Sequence, residues 1–484
     1  REKALFFGAN DGMLHAVNAD SGTQLFSYFP SSILPEALEL TSQNYKHKYF
    51  VDGEPSIADA YLSSNWKTVL VGTRGRGGST IFALDISKPQ SFAKENVLWE
   101  ISAHDSDFAD LGAQLGKVKI GRLNNGKWAA IFGSGYKRDN PVVNPEEKSI
   151  LYIVDLETGK LIKKIDTLQS VNNGLSEATL LDSNNDLTID YVYAGDLQGN
   201  LWKFDLSSTD SDDWQIATRQ SNLQPTPLFK AQYPKLVAGS ILKVNQPITT
   251  APTIKAHPNG GHLLLFGTGK YFEAQDSQVF SSDPIHSFYG IHDDKVNVID
   301  DRNQLVSQNF IYQSSGANTA AHRSSTNKTV DFTSKKGWFI DLHPPTTTSP
   351  RVTGERVHQR ALLYKDKIIF FTTTPTATPC EFGGTSWRLI LNSLDGGAGV
   401  KVISDENNDG KIDDNDKLDL KDKDGNDIQL IITGKQSKGI TAGGTLAGNK
   451  LILHNTKGGI EEVDLFKDDK PAAKPGRLSW QQIR

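Results

Sequence analysis

The chain has 484 residues, 37% of them hydrophobic, and a formal net charge of −5 at pH 7. The acidic balance argues against a nucleic-acid surface, and no apolar run approaches the ~20 residues that span a bilayer. The single cysteine, Cys380, excludes an internal disulfide and any cysteine-based zinc cluster.

This length exceeds one ordinary domain unless the chain is a large β architecture or a repeat. Read in chain order, one pattern recurs: an apolar strand, a glycine turn, a second apolar strand ending in Asp, then another turn. It opens as LFFGANDGMLHAVNADSGTQLFSYF (5–29) and returns as VLVGTRGRGGSTIFALDIS (69–87). AAIFGSG with ILYIVDLETGKLIKKI (129–165) and YVYAGDLQGNLWKFDLS (191–207) follow. Looser copies are LLLFGTGKYF with HSFYGIHD (263–293), KGWFIDLH with IIFFTTT (336–374), and ILHNTKGGIEEVDLF (452–466). The runs are short, β-branched or aromatic, and bounded by Gly, Asn or Asp, as in hairpins. The endings at Asp20–Gly22 and Asp155–Gly159 suit a tight turn between the third and fourth strands of a blade. SSILPEALEL (31–40) reads as a short helix after Pro30.

Seven such units predict an all-β chain, a modified seven-bladed β-propeller with long loop insertions at 31–47, 136–149, 208–245 and 296–334. The rival is a pair of β-sandwiches, which gives no reason for the repeated hairpin ending in Asp. The whole of 1–484 reads as one propeller domain, and the start at Arg1 without a methionine reads as a fragment of a larger protein.

Two acidic stretches carry the candidate chemistry. In DENNDGKIDDND (405–416), Asp405, Asn407, Asp409, Asp413 and Asp416 occupy positions 1, 3, 5, 9 and 12 of an EF-hand-type loop, with Gly410 at position 6. The Lys411 carbonyl takes the seventh role and Ile412 anchors position 8. Calcium takes six to eight oxygen ligands, which alternate residues of a curled loop aim at one point. In DSNNDLTID (182–190), Asp182, Asn184, Asp186 and Asp190 occupy positions 1, 3, 5 and 9, with the Thr188 carbonyl at 7. Leu187 stands at position 6, and position 12 is Tyr193 inside a strand, so Asp190 must ligate directly. The alternative for both is a solvated acidic loop. DKDGND (422–427) has alternate oxygens at Asp422, Asp424 and Asn426 but no later ligand, and reads as a turn.

Together, GANDGMLHAVNADSGTQLFSYFP, YFVDGEP, FGTGKYFE, GERVHQRALLY, CEFGGTSWRLILN, DLQGNLWKFDL and GRLSWQQI resemble the C-terminal domain of the PilC/PilY family. That resemblance covers nearly the whole chain. It implies a modified seven-bladed propeller and a role in type IV pilus biogenesis, at the pilus tip and bacterial cell surface, outer membrane or periplasm. It also implies that Asp182, Asn184, Asp186, Thr188 and Asp190 form the family's Ca2+ site, whose occupancy influences pilus extension against retraction, twitching motility and adhesion. The implied partners are minor pilins and the secretin machinery, with host-cell contact through an N-terminal region absent here. Some members carry Arg-Gly-Asp, but this chain has only Arg74-Gly75-Arg76, so integrin binding does not carry over.

The enzymatic rival is a quinoprotein-like propeller oxidoreductase. Adjacent cysteines at a quinone site are impossible with one cysteine. GTGKYF (267–272) lacks phosphate-loop spacing and reads as a hairpin turn. GSG at 133–135 is no nucleophile elbow. His15, His47, His104, His358 and His454 are scattered, and Trp202, Trp387 and Trp480 read as blade packing rather than a lectin-like sugar platform. The reading is therefore a non-enzymatic module.

Overall fold

Strand pairing turns the repeated pattern into seven sheets. The computed structural model describes residues 3–466, apart from 137–146, 170–171, 219–223, 296–297, 315–319, 346–350, 377, 379–382, 408 and 422–423. The protein is all-β, a seven-bladed β-propeller with extended loop insertions. Blade 1 comprises Ala4–Gly8, Leu14–Asn18 and Gln24–Tyr28. Blade 2 comprises Ser56–Leu62, Asn65–Thr73, Thr80–Asp85 and Val97–Ser102. Blade 3 comprises Lys119–Arg122, Trp128–Gly133, Ile150–Asp155 and Leu161–Asp166. Blade 4 is built on Thr179–Leu181, Tyr191–Gly195, Asn200–Asp205 and Gln215–Ile216.

Blade 5 runs through Thr253–Ala256, His262–Gly267, Ser287–Asp293 and Gly337–Asp341, with Val306–Gln308 added in parallel at the edge. Blade 6 has the spatial order Phe310–Gln313, His322–Ser325, Gly434–Lys438, Gly384–Asn392, Lys367–Pro375, Leu362–Tyr364. Blade 7 is Thr441–Ala447, Lys450–Asn455 and Ile460–Asp464. Among the described residues, two hairpins, Gln232–Val237 with Ser240–Asn245 and Lys417–Lys421 with Asp427–Ile431, pair only within themselves.

Among the described residues, the chain gathers into two compact units. The first holds 3–197 and 201–227, and so blades 1 to 4; the second holds 198–200 and 228–466, and so blades 5 to 7. Within the first, Leu14 and Phe26 pack with Leu70 and Phe82, joining blades 1 and 2. Val69 and Trp99 pack with Phe132 and Tyr152, joining blades 2 and 3. Ile131 and Ile153 pack with Val192 and Trp202, joining blades 3 and 4. Within the second, Phe288 and Trp338 pack with Phe370 and Leu389, and Phe371 and Ile390 with Leu451 and Val463. A sheet covered on both faces needs inner strands apolar on both faces. Trp128–Gly133 is accordingly buried at every residue, as is Ser287–Asp293.

The strand-ending Asp has a specific task. Asp155 Oδ1 accepts from the amides of Glu157 and Thr158, and Gly159 takes φ +71° to close the turn. Asp85 and Asp205 cap their turns in the same way through Ser87 and Ser207. In blade 1 the capping residue is Asn18 rather than Asp20, because Asn18 Oδ1 accepts from the amides of Asp20 and Ser21.

The sixth repeat, read at 336–374, straddles two blades: Gly337–Asp341 completes blade 5 and Lys367–Pro375 lies in blade 6. The stretch 296–334 is more than a loop insertion, since it supplies one strand to blade 5 and two to blade 6. Residues 31–41 form a 3₁₀-helix spanning Ser31–Thr41 and containing Pro35. GTGKYF is not a hairpin turn; it opens the long connection from His262–Gly267 to Ser287–Asp293. Trp202 and Trp387 are buried in their blades, as packing requires. Cys380, Asp422, Trp480 and GRLSWQQI lie outside the described residues. Among those described, no helix is long and apolar enough to cross a membrane.

Candidate metal centre

Loop 182–190 closes a hairpin of blade 4, between Leu181 and Tyr191, which face each other in register. Its hydrogen bonds follow the ligand numbering. At position 1, Asp182 accepts through Oδ2 from the amide of Leu187, at position 6, at 2.8 Å. Asn184 Oδ1 accepts from the Asp186 amide (2.9 Å), and Asp186 Oδ1 from the Thr188 amide (2.9 Å). Asn184 Nδ2 donates across to Asp186 Oδ2 at 3.0 Å. The hydroxyl and amide of Thr188 hold the exposed Asp186 carboxyl below its usual range.

Loop 405–416 repeats this skeleton bond for bond. Asp405 Oδ2 accepts from the Gly410 amide (2.8 Å), Asn407 Oδ1 from the Asp409 amide (2.9 Å), and Asp409 Oδ1 from the Lys411 amide (2.8 Å). Position 6 is left-handed in both, at φ +71° for Leu187 and +81° for Gly410. Glycine adopts that conformation freely, whereas leucine does so at a cost of ~1–2 kcal/mol.

The far ends of the loops differ. Asp190 is only 4% exposed and accepts from the Ser183 amide (2.8 Å) and hydroxyl (2.6 Å). Asn124 reaches in from blade 3, donating to the carbonyls of Ile189 (3.0 Å) and Leu206 (3.1 Å). Ile189, at position 8, bridges to Leu123. In the other loop, Asp416 is buried and accepts from the amides of Glu406 (2.7 Å), Asn407 (3.2 Å) and Asp413 (3.1 Å). Asp413 Oδ1 instead accepts from the Asn415 amide. The turn reading of 422–427 holds for its described part, since Lys421 pairs with Asp427 on either side.

Sequence reasoning missed the supports beneath these loops. Glu406 is buried and receives both bonds of Arg388 Nη2 (2.8 Å each), with Lys435 Nζ at 3.5 Å and Ser404 Oγ also bonded. Burial pushes the Glu406 carboxyl up, but Arg388 and Lys435 hold it below the usual range. Asn124, in LNNG, reads only as a turn residue, and no local signal pairs it with a loop 66 residues away.

Among the described residues, no three His, Cys, Asp or Glu side chains converge closely enough to hold a metal ion. The named donors are nonetheless all oxygens, the set that hard cations require. Each carboxylate oxygen has more than one lone pair, so accepting an amide leaves capacity for a cation. The donor set in both loops fits calcium.

Residues 1–328 match the model of the PilY1 beta-propeller domain. The chain belongs to this family. The match includes loop 182–190 and ends before loop 405–416. A type IV pilus biogenesis factor PilY1 homolog of Xylella fastidiosa is 38% identical over 412 residues, covering 83% of this chain and 26% of that protein. The type IV pilus biogenesis factor PilY1 of Pseudomonas aeruginosa is 32% identical over 477 residues, covering 93% and 39%. The chain thus spans about a quarter to two fifths of the length of these PilY1 relatives. The crystal structure of the P. aeruginosa PilY1 C-terminal domain is 27% identical and matches with TM-score 0.74, covering 96% of this chain and 93% of that one.

Proposed function

We propose that the chain is a calcium-binding propeller module of a type IV pilus biogenesis factor, acting at the bacterial surface or pilus tip in the balance between pilus extension and retraction. What supports the pilus role is family membership and similarity over most of the chain to two PilY1 proteins. What supports the calcium role is the common hydrogen-bond skeleton of two loops unrelated in their flanking structure. The module is a binding and assembly element rather than an enzyme, and on this reading 1–484 works as one domain. Minor pilins and the secretin machinery are its partners, and twitching motility and adhesion its outputs.

Bound calcium supplies two positive charges to each loop. Asp182, Asp186 and Asp190 place three negative charges within nine residues, and their repulsion is relieved when a cation sits among them. Ser183 and Asn124 hold the base of the loop, so occupancy acts on the 182–188 arc and the entry to Tyr191. Ligand binding to the folded state stabilises by RT ln(1 + [L]/Kd), ~2.7 kcal/mol at a hundredfold excess over Kd.

Calcium calorimetry on the wild type and on two variants tests this, with magnesium as the control ion. Asp186→Ala and the pair Asp405→Ala/Asp409→Ala each remove one of two binding events; unchanged stoichiometry overturns the calcium role of that loop. In cells at matched protein levels, Asp186→Ala alters surface pili and twitching. Asp186→Lys, with an ammonium beside Asp182, stays closer to wild type. Normal piliation in both variants, with calcium loss measured in vitro, overturns the switch.

A further inference from the structure

The hairpin Gln232–Val237/Ser240–Asn245 buries little of itself. Its turn is tight: Val237 pairs with Ser240, and Ala238 and Gly239 both take positive φ, +49° and +84°. At the tip, Leu236 and Ile241 are each 72% exposed, Leu242 56% and Val237 45%. Soluble surfaces carry exposed apolar residues singly as a matter of course, but contiguous apolar patches mark interaction sites.

Register places these side chains on both faces. Paired residues share a face, and side chains alternate along each strand. Leu236 and Ile241 therefore share one face, with Lys243 two pairs further down. Val237 and Leu242 share the other, with Lys235 directly across from Leu242. A protein surface laid against one face leaves the other in water. Aliphatic groups on both faces of a protruding tip suit a medium that surrounds it.

The lysines set the chemistry of that medium. Lys235 Nζ turns back to the carbonyls of Ser281 and Asp283, and Lys243 Nζ bonds Asp301 at 2.6 Å while remaining half exposed. An exposed ion pair of this kind is weak in water and exchanges readily for another anion. Three residues beyond Lys235 reach about 10 Å at ~3.4 Å per residue, close to the ~5–10 Å at which interfacial elements bury their apolar face below lipid headgroups. We propose that 236–242 is a lipid-docking tip: its aliphatic side chains enter the acyl boundary of a phospholipid membrane, and Lys235 and Lys243 meet anionic headgroups.

Co-sedimentation of the whole chain with extruded vesicles tests this, using phosphatidylcholine alone and phosphatidylcholine containing phosphatidylglycerol. The wild type partitions at least tenfold more strongly to the anionic vesicles. Leu236→Asp/Ile241→Asp abolishes binding to both. Lys235→Gln/Lys243→Gln removes the anionic preference and the salt dependence. Leu236 and Ile241 are exposed, so the aspartate variant keeps the wild-type circular dichroism and melting temperature. The glutamine variant, which gives up the bonds of half-buried Lys235 to Ser281 and Asp283, is compared at matched circular dichroism. A wild type that ignores both vesicles, or an aspartate variant that binds as well as the wild type, overturns the proposal and leaves the tip to a protein groove.

Discussion

Asp186 and Asp190 are both ligands on the sequence reading, but the structure gives them different energetic roles, and substituting each in turn separates them. Asp190 is buried and already accepts from the amide and hydroxyl of Ser183. Hydrogen bonds to a charged acceptor contribute ~1.5–3 kcal/mol each. Ser183 is half-buried, so water recovers part of the loss in Asp190→Ala, leaving a cost of about 2–4 kcal/mol on that basis. This cost is independent of the metal. In calcium the variant also forfeits the linkage contribution, ~2.7 kcal/mol at a hundredfold excess over Kd. Asp186 is exposed, and its bonds stay within the loop. Asp186→Ala sets lost loop bonds against relieved repulsion, so stability in chelator moves by no more than about 0.5 kcal/mol, and the variant loses mainly the calcium-dependent part. Denaturant unfolding of both variants, in chelator and in calcium, gives the four values needed. Equal destabilisation of the two in chelator refutes the assignment of Asp190 as a staple, as does a cost for Asp190→Ala seen only in calcium.

At position 6 of the second loop, Gly410→Leu imposes the strain that Leu187 bears. A Cβ there meets nothing within 4 Å, so conformational strain dominates, offset in part by a stiffer unfolded chain, for a net loss of about 1 kcal/mol. Leu187→Gly changes less, because relief of strain is set against lost contacts of a half-buried side chain; unfolding midpoints that reverse this order refute it. Glu406→Gln leaves Arg388 and Lys435 without their carboxylate and costs about 3–5 kcal/mol by denaturant unfolding, while Arg388→Met/Glu406→Met recovers part of it. His257, stacked on His292 at 3.8 Å, has its pKa lowered to about 4 by burial and then by the His292 charge. Below its ordinary value near 6.5 the unfolded state binds more protons, so stability falls as pH drops from 6.5 towards 4. His257→Phe makes the fall of the unfolding midpoint across that window shallower, and buried His286 and His322, both lowered by burial, carry the remainder; an unchanged pH profile refutes the assignment.

Local features were legible because local bonds make them. The spacing of Asp182, Asn184 and Asp186 is a spacing of hydrogen bonds two residues apart, and the same register recurs at Asp405, Asn407 and Asp409. Strand-ending Asp85, Asp155 and Asp205 likewise cap turns within three residues of themselves. Short apolar runs between such turns specify blades, and that was enough to give the architecture and the count of seven. Blade 6 was not legible, because its strands come from 310–325, 362–392 and 434–438 and are ordered by pairing rather than by sequence. Nothing within a blade-length window says that Gly434–Lys438 inserts between His322–Ser325 and Gly384–Asn392. The footing of the two loops was hidden for a related reason: Asn124 meets loop 182–190 only when blades 3 and 4 pack together, and Arg388 and Lys435 converge on Glu406 only once their strands pair in blade 6. Composition and turn chemistry determined what each segment is. Tertiary packing alone decided which carboxylates are buried supports and which stay exposed, because burial depends on neighbours far away in the chain.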